Sequence, residues 1–186
     1  LFARTTVTLN LAMGLRCWTH GAFGTFLPLL LVSSGEDTHA AGLFLTIFMV
    51  GGMIGGLVGG NLADVLSGRR IIVGALLLGI LPCAYYFTHV SADIVGGILL
   101  FAAGFMLMAP QPSSIIWAQQ ALPENAGMAS GMMLGMSFGL GSLGVAATAA
   151  LGDHIGLAPA LLVSVIALPL AALLAFVTPE PGSERE

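Results

Sequence analysis

Two ionisable side chains, Arg16 and His20, stand inside an otherwise apolar run, four residues apart. On a helix that spacing puts them on one face. A guanidinium offers a planar fork of donors to a carboxylate or phosphate, and a histidine embedded in a membrane is a usual carrier of coupled protons. A third polar residue, Gln111, sits between Pro110 and Pro112, ahead of Ser113 and Ser114. Two prolines must interrupt the helical hydrogen bonds around it, so Gln111 faces either a cavity at a broken helix or a kink satisfied by the serines. A fourth cluster is Gly60, Asp64, Gly68, Arg69 and Arg70. An Asp at a helix end can pair with an arginine or cap a neighbouring helix. All this is the chemistry of binding and charge handling. No nucleophile–base set, metal-ligand cluster or phosphate loop accompanies it, and the glycine runs lie within an apolar helix, not after a strand. The sequence argues against an enzyme and implies no cofactor or metal.

The elements that must position these groups follow from composition. Of the 186 residues, 57% are hydrophobic and 8% charged, with no lysine. Soluble domains carry about 25% charge. A net charge of −4 without a basic patch gives nucleic-acid binding no support. Cys17 and Cys83 lie in apolar stretches and read as small buried hydrophobes. A helix crossing a bilayer needs about 20 apolar residues. Six runs qualify: Val7–Val32, Ala40–Leu62, Ile71–Phe87, Ile94–Trp117, Met128–Leu151 and Leu157–Val177. A soluble helical bundle is excluded because no run has a polar face. Trp117 fits an interfacial anchor, whereas Trp18 is too deep. Entering near Val7, Arg16 lies roughly 14 Å deep, near the middle of a core about 30 Å thick. No acid of this chain reaches that depth. Its partner is an anionic substrate, a carboxylate elsewhere, or a backbone carbonyl at a broken helix. The chain opens at Leu1 and enters an apolar stretch within a few residues, which reads as a truncated beginning.

Arginines favour the cytoplasmic ends of spans. Arg4, Arg69–Arg70 and Arg185 fall on one side of an even number of spans, and the loops at Ser33–His39, His89–Asp93 and Gly152–Gly156 hold no Arg or Lys. Both termini, including a tail over 178–186, are expected in the cytoplasm. Gly52, Gly56 and Gly60 repeat every fourth position in span two, as do Gly51, Gly55 and Gly59; in span five Gly127, Gly131, Gly135 and Gly139 do the same. Such stripes admit close helix contact; Gly52, Gly56, Gly131, Gly135 and Gly139 are the expected packing positions. Each Gly-rich span ends in an Asp followed by a Gly: Asp64 then Gly68, and Asp153 then Gly156. The two sites lie on opposite faces, the pattern of a three-plus-three inverted repeat.

The segment Gly60-Asn-Leu-Ala-Asp64-Val-Leu-Ser-Gly68-Arg69-Arg70 resembles the cytoplasmic loop signature of the major facilitator superfamily, G-x-x-x-D-[R/K]-x-G-R-[R/K]. It departs by one extra residue after the Asp and by Val65 in place of a basic residue. Span five with its flanks (Leu122-Pro-Glu-Asn-Ala-Gly-Met-Ala-Ser-Gly, and Asp153-His-Ile-Gly-Leu-Ala-Pro-Ala160), together with Leu15-Arg16-Cys-Trp18 and Thr25-Phe-Leu-Pro-Leu29, resembles the C-terminal half of the fosmidomycin-resistance subfamily. The resemblance implies an all-α, six-helix half of a twelve-helix drug exporter, driven by proton exchange, in a bacterial inner membrane. Its partners are then lipid, protons, a small and anionic substrate, and the N-terminal six-helix half. It implies that the loop latches the two halves on the cytoplasmic side. An importer of sugars or organic acids shares the fold and the loop. A non-transporting scaffold is the alternative of another class; Arg16 and His20 count against it, since buried charge has no use there.

Overall fold

A computed structural model describes residues 2–179, with side chains from residue 5 onward. The side chain of Arg4, Arg185 and most of the tail expected over 178–186 lie outside the described residues. In lipid, a backbone can satisfy its polar groups only within itself, and the described chain is helical accordingly. Its elements are α1 (Phe2–Ser33), α2 (Thr38–Leu62), α3 (Gly68–Thr88), α4 (Ile94–Met108), α5 (Pro110–Ala121), α6 (Ala126–Ile155) and α7 (Leu157–Val177). A single residue, Ala109, separates α4 from α5, so the two form one broken span. A 3-10 turn over Pro123–Asn125 leads into α6.

Five of these rods are long and apolar enough to cross a membrane, with α4 and α5 counted as one. The sixth, α1, is long enough at 32 residues but less apolar. It carries Thr5, Thr6, Thr8, Asn10, Arg16, Thr19 and His20. All of these except Thr8 and His20 are buried. α1 packs on α2, α5, α6 and α7 and supplies Leu9, Met13, Phe23, Leu27 and Leu31 to the core. The outer surface is apolar, with Leu57, Leu81, Ile94 and Leu143 all more than half exposed. That is a surface for hydrocarbon, not water.

The start of α1, the start of α3 and the ends of α5 and α7 lie together. Thr178 Oγ1, just past α7, donates to Thr8 Oγ1 near the start of α1 at 3.0 Å. Arg69, at the start of α3, donates to the Thr178 carbonyl at 2.8 Å. Trp117, near the end of α5, donates to the Pro179 carbonyl at 3.3 Å. Trp117 is therefore 2% exposed and tied inward, not an interfacial anchor. At the opposite end α6 outruns its expected limit, so Asp153 lies in its last turn and Gly156 alone joins it to α7. The φ of +89° at Gly156 is a left-handed value that a side chain would resist.

The packing has the exchange symmetry of an inverted repeat. If α1, α2 and α3 correspond to α4–α5, α6 and α7, the close pair α2–α4 maps onto α6–α1. The pair α1–α7 maps onto α3 with α4 and α5. Glycines permit both close pairs, but of the expected ones only Gly52 takes part. Cβ atoms at Gly51, Gly55 and Gly59 would lie closer than 3.0 Å to the backbone at Phe101, Phe105 and Ala109. On α6 the buried line is Ala129, Met133, Ser137 and Gly141; a Cβ at Gly141 would come within 2.6 Å of Cys17 Cβ. Of the expected positions, Gly52 is buried against α4, where an added Cβ would lie 3.0 Å from the Met108 side chain and 3.6 Å from the Gly104 carbonyl, while Gly56, Gly131, Gly135 and Gly139 have nothing within 4 Å. The last three lie two positions from the packed line, about 200° around the helix. They form an exposed stripe and meet no helix among the described residues.

Candidate functional site

The site is built where α1 crosses the break between α4 and α5. Pro110 and Pro112 bring no amide hydrogen, so the helical ladder is open around Met106 and Met108. Arg16 reaches into this gap. Its Nη1 donates to the Leu107 carbonyl at 2.6 Å and approaches Met108 Sδ at 3.4 Å. Its Nη2 donates to Gln111 Oε1 and to Cys17 Sγ, the latter at 3.0 Å. The side chain is 0% exposed and Nε has no partner. Of the three partners the sequence left open, the one found in this structure is the backbone carbonyl at a broken helix, with the Gln111 amide beside it. No carboxylate touches the guanidinium among the described residues, and the partners found there are neutral dipoles.

Arg16 and Gln111 are thus brought together. His20, one turn beyond Arg16, is half-buried, and its ring lies over Phe48 with centroids 5.3 Å apart. Phe48 stacks in turn on Phe23 at 5.1 Å. Around this core runs a set of polar ties that residue spacing did not reveal. Asn10 accepts from Ser137 at 3.4 Å, Trp18 donates to Thr148 at 2.8 Å, and Thr19 donates to the Ser164 carbonyl at 2.6 Å. They share one signal, that of a polar residue in α1 with no acid or arginine to pair with. Such groups must find partners across helices. Cys17 and Cys83 are buried and free, as their surroundings suggested.

The loop cluster is dispersed. Gly60 faces Pro112 at 3.8 Å, and Gly68 lies 3.4 Å from the Trp117 ring, both counted from an added Cβ. Asp64 is exposed, and its carboxylate forms no ion pair or capping bond among the described residues. Arg69 turns away from it toward the end of α7, donating to Thr178 and lying 5.9 Å from the Phe176 ring centroid. A cation at a helix C-terminus meets carbonyls left over by the helix and the negative end of its dipole. Arg70 is exposed.

The Major Facilitator Superfamily sequence profile matches residues 9–186. The chain belongs to this family. A Bacillus subtilis (strain 168) protein named "Uncharacterized MFS-type transporter YfnC" is 31% identical over 143 residues, which is 77% of this chain and 34% of that protein. The "Fosmidomycin resistance protein" of Escherichia coli (strain K12) is 32% identical over 87 residues, 47% of this chain and 21% of that protein. Among solved structures, that of a major facilitator transporter, FucP, in the outward conformation matches with a TM-score of 0.77 at 17% identity. The match covers 96% of this chain and 43% of that one. This facilitator chain therefore has the superfamily's six-helix fold and spans less than half the length of the relatives it matches.

Proposed function

We propose that the chain forms one six-helix half of a secondary transporter that moves a small anion across a bacterial inner membrane. The arginine-bearing end faces the cytoplasm, and transport is proton-driven export of a phosphonate-like drug. The observation that carries this reading is Arg16, a guanidinium buried at mid-depth, held only by neutral acceptors at a proline break. A charge in that position is costly and is a functional candidate by default. An anion approaching the break competes with the Leu107 carbonyl and Gln111 for the same Nη donors. It wins because it is charged and the fork suits two oxygens. Releasing those ties frees α5 to move against α4, which couples binding to a change of state. His20, one turn away, is the residue of this half placed to carry the proton. The resemblance to the fosmidomycin-resistance protein supports the substrate class. A neutral sugar would gain less from the guanidinium than an anion does, which disfavours a sugar importer.

The test uses the full-length transporter in proteoliposomes. Uptake of a radiolabelled phosphonate into inside-out vesicles should follow an imposed pH gradient and collapse with an uncoupler. Arg16→Lys keeps the charge but loses the fork; it should raise the half-saturating concentration about tenfold, the weight of one charged hydrogen bond. Gradient-independent flux, or Arg16→Lys with unchanged affinity, would remove this reading.

A further inference from the structure

The Arg16 side chain is fully buried, so an anion reaches its guanidinium only if a group that covers it moves. Four groups touch the guanidinium among the described residues: the Leu107 carbonyl, Met108 Sδ, Cys17 Sγ and Gln111 Oε1. Leu107 and Cys17 are buried, whereas Met108 and Gln111 are half-buried. The way in from the surface therefore runs past these last two side chains. They differ in grip. Gln111 offers an amide oxygen, a strong acceptor, to Nη2. Met108 offers a thioether, a weak acceptor, at 3.4 Å from Nη1. Its side chain is unbranched and has three rotatable bonds. Of the two, Met108 gives way first.

The surroundings of Met108 suit a moving part. In an unbroken helix its carbonyl would accept from the amide of residue 112, but Pro112 has no amide hydrogen. Met108 is also the last residue of α4. Gly52 of α2 lies beneath its side chain: an added Cβ would stand 3.0 Å from Met108 Cγ and 3.7 Å from Met108 Cβ. A larger residue at 52 would take the space that the methionine occupies. One turn on, Gly56 has nothing within 4 Å of an added Cβ, and a turn further Gly60 faces Pro112 at 3.8 Å. Residues four apart on a helix face are about 5–6 Å apart, within the reach of a methionine side chain. The α2 stripe thus seats Met108 at Gly52 and leaves it room at Gly56. We propose that Met108 is the movable cover of Arg16: its thioether leaves Nη1, swings toward Gly56 and opens the guanidinium to an oxyanion. The identity of the incoming group rests on the reading of Arg16 as the anion's ligand; the movement of the cover does not.

Labelling of the detergent-purified, full-length transporter with phenylglyoxal, an arginine-selective reagent, reads the cover directly. Mass spectrometry of the labelled peptides gives the rate at Arg16, with exposed Arg70 as the internal standard. Arg16 should label slowly in the wild type. Met108→Ala should speed it about fivefold to tenfold, the weight of lifting a half-buried methionine from its seat. Met108→Leu restores the bulk and should bring the rate back to within about threefold of the wild type. The Arg70 rate should stay constant, and unfolding midpoints close to that of the wild type show that both variants are folded. Equal Arg16 rates in the wild type and Met108→Ala overturn the proposal. So does a rate in Met108→Leu as fast as in Met108→Ala, which marks a general loosening of the break. Phosphonate uptake into proteoliposomes separates the cover from the reading of Arg16 as the anion's ligand. Met108→Ala should lower the half-saturating concentration by a factor similar to its gain in labelling. Fast labelling with unchanged half-saturation keeps the cover and takes the phosphonate off Arg16.

Discussion

Replacing Arg16 by Met separates its structural weight from its functional one. The substitution removes the guanidinium and leaves the Leu107 carbonyl and the Gln111 amide, both partners in the structure, without a donor. Each orphaned group costs about 1–3 kcal/mol, so roughly 2–6 kcal/mol is lost. Against this, an arginine at mid-membrane costs about 3 kcal/mol on insertion scales, and no carboxylate here offsets it. The unbranched Met fills much of the vacated space. The net loss is then at most about 3 kcal/mol, at or below the 3–5 kcal/mol of a broken buried ion pair. Transport responds differently. Two charged hydrogen bonds to an anion are worth about 3 kcal/mol or more, a factor of about 100 in half-saturating concentration. The full-length Arg16→Met protein should therefore unfold within a few degrees of the wild type and show almost no phosphonate flux. Paired thermal unfolding and proteoliposome uptake measure both. A variant that fails to fold would make Arg16 a helix staple. A folded variant with normal affinity would take it off the substrate path.

Three other outcomes follow from the geometry. Gly55→Ala drives a Cβ into the Phe105 backbone, which cannot rotate away, and should destabilise by about 3 kcal/mol; Gly56→Ala, facing open space, should match the wild type in the same unfolding assay. Asp64→Asn removes an exposed, unbonded carboxylate, so expression should hold while transport falls sharply; wild-type flux would make the loop vestigial. At the other end, Asp93 accepts from Gly96 N at 2.7 Å and Ser91 Oγ at 2.9 Å, and these bonds hold its carboxyl below the usual range. A depressed pKa stabilises fully above the ordinary carboxylate range and loses that stabilisation as the pH falls through the folded value. Amide exchange at Gly96 should thus be slower in wild type than in Asp93→Asn at neutral pH, and the gap should close in acid.

The six spans were legible because apolar runs of the needed length alternate with turn formers, and lipid leaves the backbone no choice but helix. The positions of Arg16 and Gln111 were legible as anomalies: a charge without an acid, and an amide between two prolines. What sequence could not give was rotation about each helix axis. Gly52 and Gly51 belong to equally regular stripes, and only the seating of α2 on α4 shows that the whole second stripe meets backbone whereas Gly56 of the first does not. The same blindness hid the rotation that sets Ala129, Met133, Ser137 and Gly141 inward and the Gly131 stripe outward. Asp64 and Arg69 look like partners in sequence. Yet α3 starts beside the end of α7, whose carbonyls take the arginine.

The exchange symmetry explains why the polar groups meet where they do. Under it, α1 and the broken α4–α5 span are counterparts, and they carry Arg16 and Gln111. Each is gripped by a small-residue line from the other repeat: α4 by Gly51, Gly55 and Gly59 of α2, and α1 by Gly141 and Gly144 of α6. Such lines let backbones approach more closely than side chains would permit, and they fix the depth at which each polar helix sits. A guanidinium bond at 2.6 Å across that junction tolerates little sliding before it breaks. The glycines that seat the two polar helices therefore act on the site at a distance. A methyl added at Gly55 or Gly141 must displace α4 or α1 and pull Arg16 away from Leu107 and Gln111. The same methyl at Gly135 meets nothing within 4 Å and leaves that junction as it was.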